Sequence, residues 1–89
     1  MLEVRFSERF LADVSSIYSD ALVKEVMKTV SRIAVLPEMG KVISSKFLLE
    51  RFDFDARKVP VGPFDLLYVY DEGNGVVKAE ALIHQRQVR

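Results

Sequence analysis

The chain has no cysteine, and its 89 residues include a single histidine, His84. Without cysteine, neither a disulfide framework nor a thiolate metal site is possible, and one histidine excludes a zinc site built from several histidines of one chain. Apolar runs are far shorter than the ~20 residues that span a bilayer. The first residues, MLEVRF, carry Glu3 and Arg5 where a signal peptide needs an unbroken apolar segment. We therefore expect a soluble cytoplasmic protein without membrane association.

An excess of charge of either sign is also missing, because 13 Lys and Arg balance 13 Asp and Glu. A dedicated nucleic-acid binder usually carries a basic excess, since phosphate contacts supply much of its affinity. No basic block stands out in the second half of the chain either, so any basic patch must be made by folding. What is present is globular in composition, at 49% hydrophobic and 29% charged residues. We expect one domain over residues 1–89.

The N-terminal half predicts one strand and two helices. Residues 2–6, LEVRF, alternate apolar and charged side chains as a strand does. Ser7 is an N-cap candidate for an amphipathic helix of about three turns that reaches Tyr18. Asp20 is a second N-cap candidate, and the apolar stripe that follows it ends before Pro37. The two helices should form an antiparallel hairpin with one apolar face.

The C-terminal half predicts strands. The stretch KFLLERFDFDARKVPV, residues 46–61, favours one strand or a bulged pair, and Gly62-Pro63 forms a turn. FDLLYVYD and VVKAEALIH are strands joined by a DEGNG hairpin loop. The order β-α-α-β-β-β predicts an α+β fold, an antiparallel twisted sheet with the helical hairpin on one face. Alternation assigns Ala79, Ala81 and Ile83 to the helix side, and Leu82 and His84 to the open face.

Four stretches follow one another along the chain: FSERF, LPEMGK, VGPFDLLYVYDEGNGVV and IHQR. In this order they resemble the RelE/ParE superfamily, the toxins of bacterial type II toxin–antitoxin modules. The resemblance covers nearly the whole chain. It implies neutralisation by a cognate antitoxin whose extended or helical segment wraps the toxin. We therefore expect a toxin–antitoxin heterocomplex or a homodimer.

The superfamily implies two activities on one fold. RelE-like members are endoribonucleases that cut mRNA on the ribosome and use no metal or other cofactor. ParE-like members poison DNA gyrase and are not nucleases. A diverged member that binds a partner protein without toxicity is a third alternative, and the fold does not choose among them.

The candidate site residues lie towards the C-terminus. Metal-free RNA cleavage needs a base, an acid and cations at the phosphate. His84 has the side-chain type that exchanges protons near neutral pH, and the resemblance implies a catalytic residue at the end of the last strand. Arg86, two residues after His84 and on the same side of the strand by alternation, would bind the phosphate next to His84. Lys58, Arg57 and Arg51 are the candidates for substrate binding, with only one of Arg57 and Lys58 on the open face.

Asp65 departs from the pattern of the nuclease members. Their matching strand has an arginine that contacts the scissile phosphate, where this chain has the aspartate of FDLLY. A carboxylate at that position opposes phosphate binding unless a cation neutralises it. A structural ion pair of Asp65 with Arg57, Lys58 or Arg86 is one interpretation, and a role as general base is the other.

Overall fold

The computed structural model describes residues 2–43 and 56–87. The elements follow one another as β1 (Glu3–Phe6), α1 (Glu8–Ser15), α2 (Asp20–Val35), β2 (Lys41–Val42), β3 (Arg57–Val61), β4 (Phe64–Asp71) and β5 (Val76–His84), and a 3₁₀ turn (Gln85–Gln87) ends them. This is the α+β architecture that the sequence predicts. Arg51 and most of the strand predicted over residues 46–61 lie outside the described residues.

Helix α1 begins where the sequence places its cap and ends earlier than predicted. The Ser7 hydroxyl accepts a hydrogen bond from the N–H of Phe10 at 2.9 Å, as an N-cap does. The hydroxyls of Ser15 and Ser16 each donate to the carbonyl three residues back, at 2.8 and 2.7 Å. Such bonds compete with helical backbone pairing, so the helix stops before Tyr18.

Helix α2 is the longer helix, and it begins one residue earlier than the predicted cap at Asp20 implies. Ser19 is the N-cap, accepting from the N–H of Leu22 at 3.2 Å, and Asp20 is the first helical residue. The carboxylate of Asp20 in this first turn suits the positive end of the helix dipole. Neither helix of the described part of the chain has the length and apolar character needed to cross a membrane.

The described strands form one sheet in the order β1-β5-β4-β3-β2. The neighbours β2–β3, β3–β4 and β4–β5 are antiparallel, as predicted, whereas β1 runs parallel to β5 with Glu3 opposite Val76. Strands joined by short connections must be antiparallel, but β1 is separated from β5 by all the other elements. Its direction therefore cannot be read from a turn, and the antiparallel sheet predicted from the hairpin-linked strands is extended at this edge by a parallel strand.

Both helices pack on one face of the sheet through a set of side chains that we call the helix-side cluster. Each buried aliphatic or aromatic side chain of this kind contributes about 1.5–3 kcal/mol of transfer free energy to folding. The buried members of the helix-side cluster are Phe10, Val26, Val30, Ile33, Val59, Val61, Leu66, Tyr68, Val77, Ala79 and Leu82.

A second set of apolar side chains lies on the other face, which we call the outer face. This outer cluster consists of Ile43, Ala56, Leu67, Ala81 and Ile83, with Val69 packed against it. The outer face is therefore apolar near its middle, although the sequence predicts a partly polar, open surface there.

A β-bulge in β5 explains the difference between the predicted and observed faces. Tyr68 pairs with Ala79 and Leu67 pairs with Ala81, so Glu80 has no residue opposite it in β4. The extra residue shifts the alternation by one position, and side chains beyond it exchange faces.

The shift corrects four face assignments. Ala79 lies on the helix side as predicted, but Ala81 and Ile83 belong to the outer cluster and Leu82 to the helix-side cluster. His84 pairs with Phe64, which also packs on the helix side. Its predicted place on the open face is therefore wrong.

Candidate functional site

His84 ends β5 and is half-buried against a neighbouring aromatic ring. Its ring meets the Phe64 ring edge-on, with 5.8 Å between the ring centroids. The backbone N–H of Arg86 donates to Nδ1 of His84 at 3.2 Å. Because Nδ1 accepts this bond, the neutral imidazole carries its proton on Nε2. The nitrogen left for a substrate is then a donor, so His84 could act as a general base only after this contact breaks.

Arg86 lies in the 3₁₀ turn after β5, not on a continued strand. Gln85 holds this turn: its N–H donates to the carbonyl of Pro63 at 2.9 Å, and its side-chain amide donates to the carbonyl of Phe64 at 3.1 Å. Strand alternation therefore ends at His84, and the prediction that Arg86 lies beside it by alternation is wrong. Arg86 is exposed and forms no ion pair within residues 2–43 and 56–87.

Lys58 lies on the outer face and is paired with a nearly buried carboxylate. Its Nζ is 4.0 Å from Oδ2 of Asp65, whose residue is 8% exposed. Lys58 pairs with Leu67 across β3–β4, which places it beside the outer cluster. Of the three partners considered for Asp65, the structure selects Lys58, and the interpretation of Asp65 as a member of an ion pair is confirmed.

Arg57 points to the other face and has a structural role. Its Nη1 donates to the carbonyl of Gly40 at 2.9 Å and to that of Glu38 at 3.2 Å. The prediction that only one of Arg57 and Lys58 lines the outer face is confirmed, because neighbouring residues of a strand alternate.

The structure separates His84 from Lys58, one of the two substrate-binding candidates within the described residues. The other, Arg57, lies on the helix side, where its guanidinium binds two backbone carbonyls. On β4, the residue opposite His84 is Phe64 and the residue opposite Lys58 is Leu67. Three residues along a strand amount to roughly 10 Å. His84 lies on the helix side of the sheet and Lys58 on the outer face, so the sheet itself stands between them.

A charged groove on the outer face was not predicted from the sequence. It has a volume of about 650 Å³, and charged side chains from β1, β4 and β5 line it. Arg5 is paired with Glu3, and Nζ of Lys78 is 3.6 Å from the carboxylate of Glu80. These residues come together through the parallel pairing of β1 with β5, for which the sequence carries no local signal.

Asp71, at one end of this groove, is engaged in forming the β4–β5 turn. The side-chain amide of Asn74 donates to Oδ2 of Asp71 at 2.8 Å, and the backbone N–H of Asn74 donates to Oδ1 at 3.2 Å. These bonds hold the pKa of Asp71 below its ordinary value. Asp71 therefore stays ionised and serves as a turn residue instead of a proton donor.

Exposed apolar side chains gather where α2 ends and β2 begins. We call this surface the apolar corner; its residues are Val35, Leu36, Met39 and Val42, which are between 43% and 67% exposed. A hollow of about 410 Å³ lies in it, lined by Leu36, Pro37, Glu38 and Met39. Several exposed apolar side chains close together in the chain are typical of protein–protein contacts.

No metal site is assembled in the part of the chain that the structure describes. Within residues 2–43 and 56–87, no three His, Asp or Glu side chains converge in a way that could hold an ion.

The fold is that of solved bacterial toxin structures. A chain of the intact Escherichia coli RelBE toxin–antitoxin complex matches with a TM-score of 0.74 at 15% identity, over 94% of this chain and 96% of that one. A chain of the Mycobacterium tuberculosis RelBE2 toxin–antitoxin complex matches with a TM-score of 0.76 at 17% identity, over 94% and 98%. A metal-bound toxin from Helicobacter pylori matches with a TM-score of 0.69 at 20% identity, over the whole of both chains.

The sequence identifies the family within this fold. The family model of the ParE toxin of the type II toxin–antitoxin system parDE matches residues 4–89. The chain therefore belongs to the ParE toxin family, and the resemblance to RelE/ParE toxins is confirmed. A search of curated proteins gives no significant match.

Proposed function

We propose that this chain arrests growth by binding a protein target, DNA gyrase in the ParE-like manner, and that it does not cut RNA. The observation that carries the proposal is the position of His84 and Lys58 on opposite faces of the sheet. Cleavage of RNA without a metal needs proton-transfer groups and cations within hydrogen-bond reach of one phosphodiester. Two groups separated by a sheet do not meet this requirement.

Asp65 supports the same proposal. The resemblance implies an arginine at this position in the nucleases, whereas here a nearly buried carboxylate engages Lys58. Two like charges at ~4 Å repel by about 4 kcal/mol at an effective dielectric constant near 20. Lys58 offsets this repulsion only while it stays paired with Asp65, so its charge is not free to bind a phosphate.

We also propose a cognate antitoxin as partner, with the apolar corner as part of its binding surface. Two of the structures that share this fold are toxin–antitoxin complexes. The corner offers Leu36, Met39 and Val42 to an apolar partner segment. Burial of such side chains in a complex gains transfer free energy without the cost of desolvating a charge.

The test of the target is expression of the chain without an antitoxin in bacterial cells. We expect growth arrest, intact mRNA by mapping of 5′ ends, and gyrase-linked breaks in DNA. His84→Ala should arrest growth as the parent chain does, because His84 has no part in a protein-directed mechanism. Cut mRNA that disappears in His84→Ala would overturn the proposal and favour a ribosome-dependent nuclease. Full growth after expression of folded protein would favour the non-toxic alternative.

The test of the antitoxin surface compares two substitutions of exposed apolar residues. Leu36→Glu should weaken binding of the antitoxin at least tenfold in a calorimetric titration, because it places a charge in the apolar corner. Tyr18→Glu is the matched control: Tyr18 is fully exposed and precedes α2, roughly 24 Å from the end of that helix. Equal affinity of the two variants would contradict the assignment.

A further inference from the structure

Strand β1 is an edge strand whose outer side pairs with no other strand in the described residues. The N–H of Glu3 donates to the carbonyl of Gly75, and the N–H of Ser7 donates to that of Ala79, each at 3.0 Å. Successive residues of a strand point their N–H and C=O groups to opposite sides. The backbone groups of Leu2, Val4 and Phe6 therefore point away from the sheet.

The two edges of the sheet differ in how they are protected. At the β2 edge the strand has only two residues, one of which is Lys41, and short length and lysine are both features that discourage pairing. At the β1 edge the four residues Glu3–Phe6 include no lysine and no proline, and Phe6 is 37% exposed. Of the two edges formed by the described strands, β1 is thus the one open to a further strand.

The side chains of β1 are complementary to a second copy of the same strand. When two copies run antiparallel about a two-fold axis through Val4, Val4 faces its own symmetry mate and Leu2 faces Phe6. In the same register Glu3 of each copy faces Arg5 of the other. Apolar side chains then meet on the helix side and opposite charges meet on the outer face.

The backbone supports this register independently of the side chains. An antiparallel pair exchanges hydrogen bonds only between residues whose N–H and C=O groups point at each other. The axis through Val4 matches Leu2, Val4 and Phe6 with one another, and these are the residues that point away from β5. A register shifted by one residue would turn the helix side of one copy to the outer face of the other.

We propose that β1 is a homodimerisation edge, at which a second copy of this chain pairs antiparallel and joins the two sheets into one. Charge complementarity favours a second copy as the partner, because a two-fold rotation about Val4 places Glu3 of each strand opposite Arg5 of the other. Both charged side chains are more than half exposed in the single chain and free to pair again across the axis. The proposal does not depend on the target of the toxin.

A charge exchange tests the proposal. In sedimentation velocity over a concentration series, the parent chain should reach twice its 10.2 kDa mass. Glu3→Arg leaves two cations on each β1 strand, and Arg5→Glu leaves two anions. Because like charges then meet across the two-fold axis, neither variant alone should form the dimer. An equimolar mixture of the two variants should recover it, since unlike strands then attract. A parent chain that stays monomeric, or a mixture that stays monomeric, would overturn the proposal.

Hydrogen exchange distinguishes a second copy from a strand of another protein. The amides of Val4 and Phe6 should become protected as the concentration of the chain rises, whereas those of Glu3 and Arg5 are protected throughout by β5. Val4→Pro should abolish the dimer and keep the fold, because proline is tolerated where the N–H points away from the sheet. Protection of Val4 and Phe6 only when antitoxin is added would contradict self-pairing.

Discussion

At the scale of single residues, Tyr68 joins two distant parts of the described chain through one hydroxyl group. Its O–H donates to the carbonyl of Pro37 at 2.7 Å and accepts the N–H of Gly40 at 2.8 Å. A Cβ atom on Gly40 would lie 2.5 Å from this hydroxyl, so the close approach requires glycine. Since Arg57 also binds the Gly40 carbonyl, the turn between α2 and β2 is held from both β3 and β4.

Tyr68→Phe should lower the free energy of unfolding by about 1–3 kcal/mol, because the N–H of Gly40 and the carbonyl of Pro37 lose their common partner inside the protein. Urea unfolding measures the loss. Tyr70→Phe is the matched control, since the hydroxyl of Tyr70 makes no hydrogen bond within residues 2–43 and 56–87; its cost should stay below about 0.5 kcal/mol. Equal costs for the two variants would mean that the hydroxyl bridge contributes nothing.

The same residue should make the protein sensitive to alkali. Burial raises the pKa of Tyr68 above its ordinary value, although the N–H of Gly40 and the charge of Arg57 act in the opposite direction. The unfolded chain releases this proton near pH 10, whereas the folded protein holds it to higher pH. The unfolded state then binds fewer protons, so the free energy of unfolding is at its full value below about pH 10 and falls as pH rises through the folded pKa. Urea unfolding at increasing pH should show this fall, and Tyr68→Phe should reduce it.

The sequence predicts the environment of such residues better than their partners. Alternation along FDLLYVYD predicts that Tyr68 and Tyr70 share the core-facing side of their strand, and in the structure Tyr68 is fully buried and Tyr70 packs partly buried against the helix-side cluster. The partners of Tyr68 lie 28 and 31 residues away, and no local pattern indicates them. The ion pair of Asp65 had three possible partners in the sequence. Only the folded register, which brings Lys58 and not Arg57 to the outer face, selects among them.

At the scale of elements, α1 continues the protection of β5 beyond the point where β1 ends. The hydroxyl of Ser7 donates to the carbonyl of Glu80 at 2.7 Å, and Oδ2 of Asp13 accepts the N–H of Leu82 at 3.0 Å. The carbonyl belongs to Glu80, the bulge residue, and the N–H to Leu82, two residues further along β5. A helix side chain thus replaces a strand as the partner of the sheet edge.

Asp13→Ala should lower the free energy of unfolding by about 1–3 kcal/mol, because the N–H of Leu82 loses its acceptor in a part-buried position. Chemical denaturation measures the change. Arg9→Ala is the control, since Nε of Arg9 also contacts Oδ2 of Asp13, at 3.5 Å, in a largely exposed ion pair worth less than about 1 kcal/mol. If the two substitutions lower the free energy of unfolding equally, Asp13 contributes through its ion pair with Arg9 and not through its hydrogen bond to β5.

The order and type of the elements follow from local patterns, and the bulge does not. Caps, apolar periodicity and turn residues are properties of neighbouring residues, so they predict β1, both helices and the β4–β5 hairpin. VVKAEALIH alternates almost regularly, and no residue in it marks Glu80 as the inserted position. A single bulge reverses every face assignment after it, and for this reason regular alternation predicts the wrong side of the sheet for His84.

At the scale of the whole molecule, the sheet carries apolar clusters on both faces and not a single core under the helices. Leu66 and Leu67 are neighbours on β4, both fully buried, yet Leu66 belongs to the helix-side cluster and Leu67 to the outer cluster. Adjacent residues of one strand can be buried in this way only when both faces of the sheet are covered at that point. The outer face is therefore a source of stability.

Leu66→Ala and Leu67→Ala form a matched pair that tests this arrangement. Each should lower the free energy of unfolding by about 2–5 kcal/mol, because each removes a buried isobutyl group and leaves a cavity in its own cluster. Urea unfolding of the two variants gives the comparison, with the same residue type, strand and burial in both. If the outer face were open to solvent, Leu67→Ala would cost less than about 0.5 kcal/mol while Leu66→Ala kept its full effect. A large loss for both variants, with the midpoints of unfolding shifted by similar amounts, is the result that a two-sided core requires.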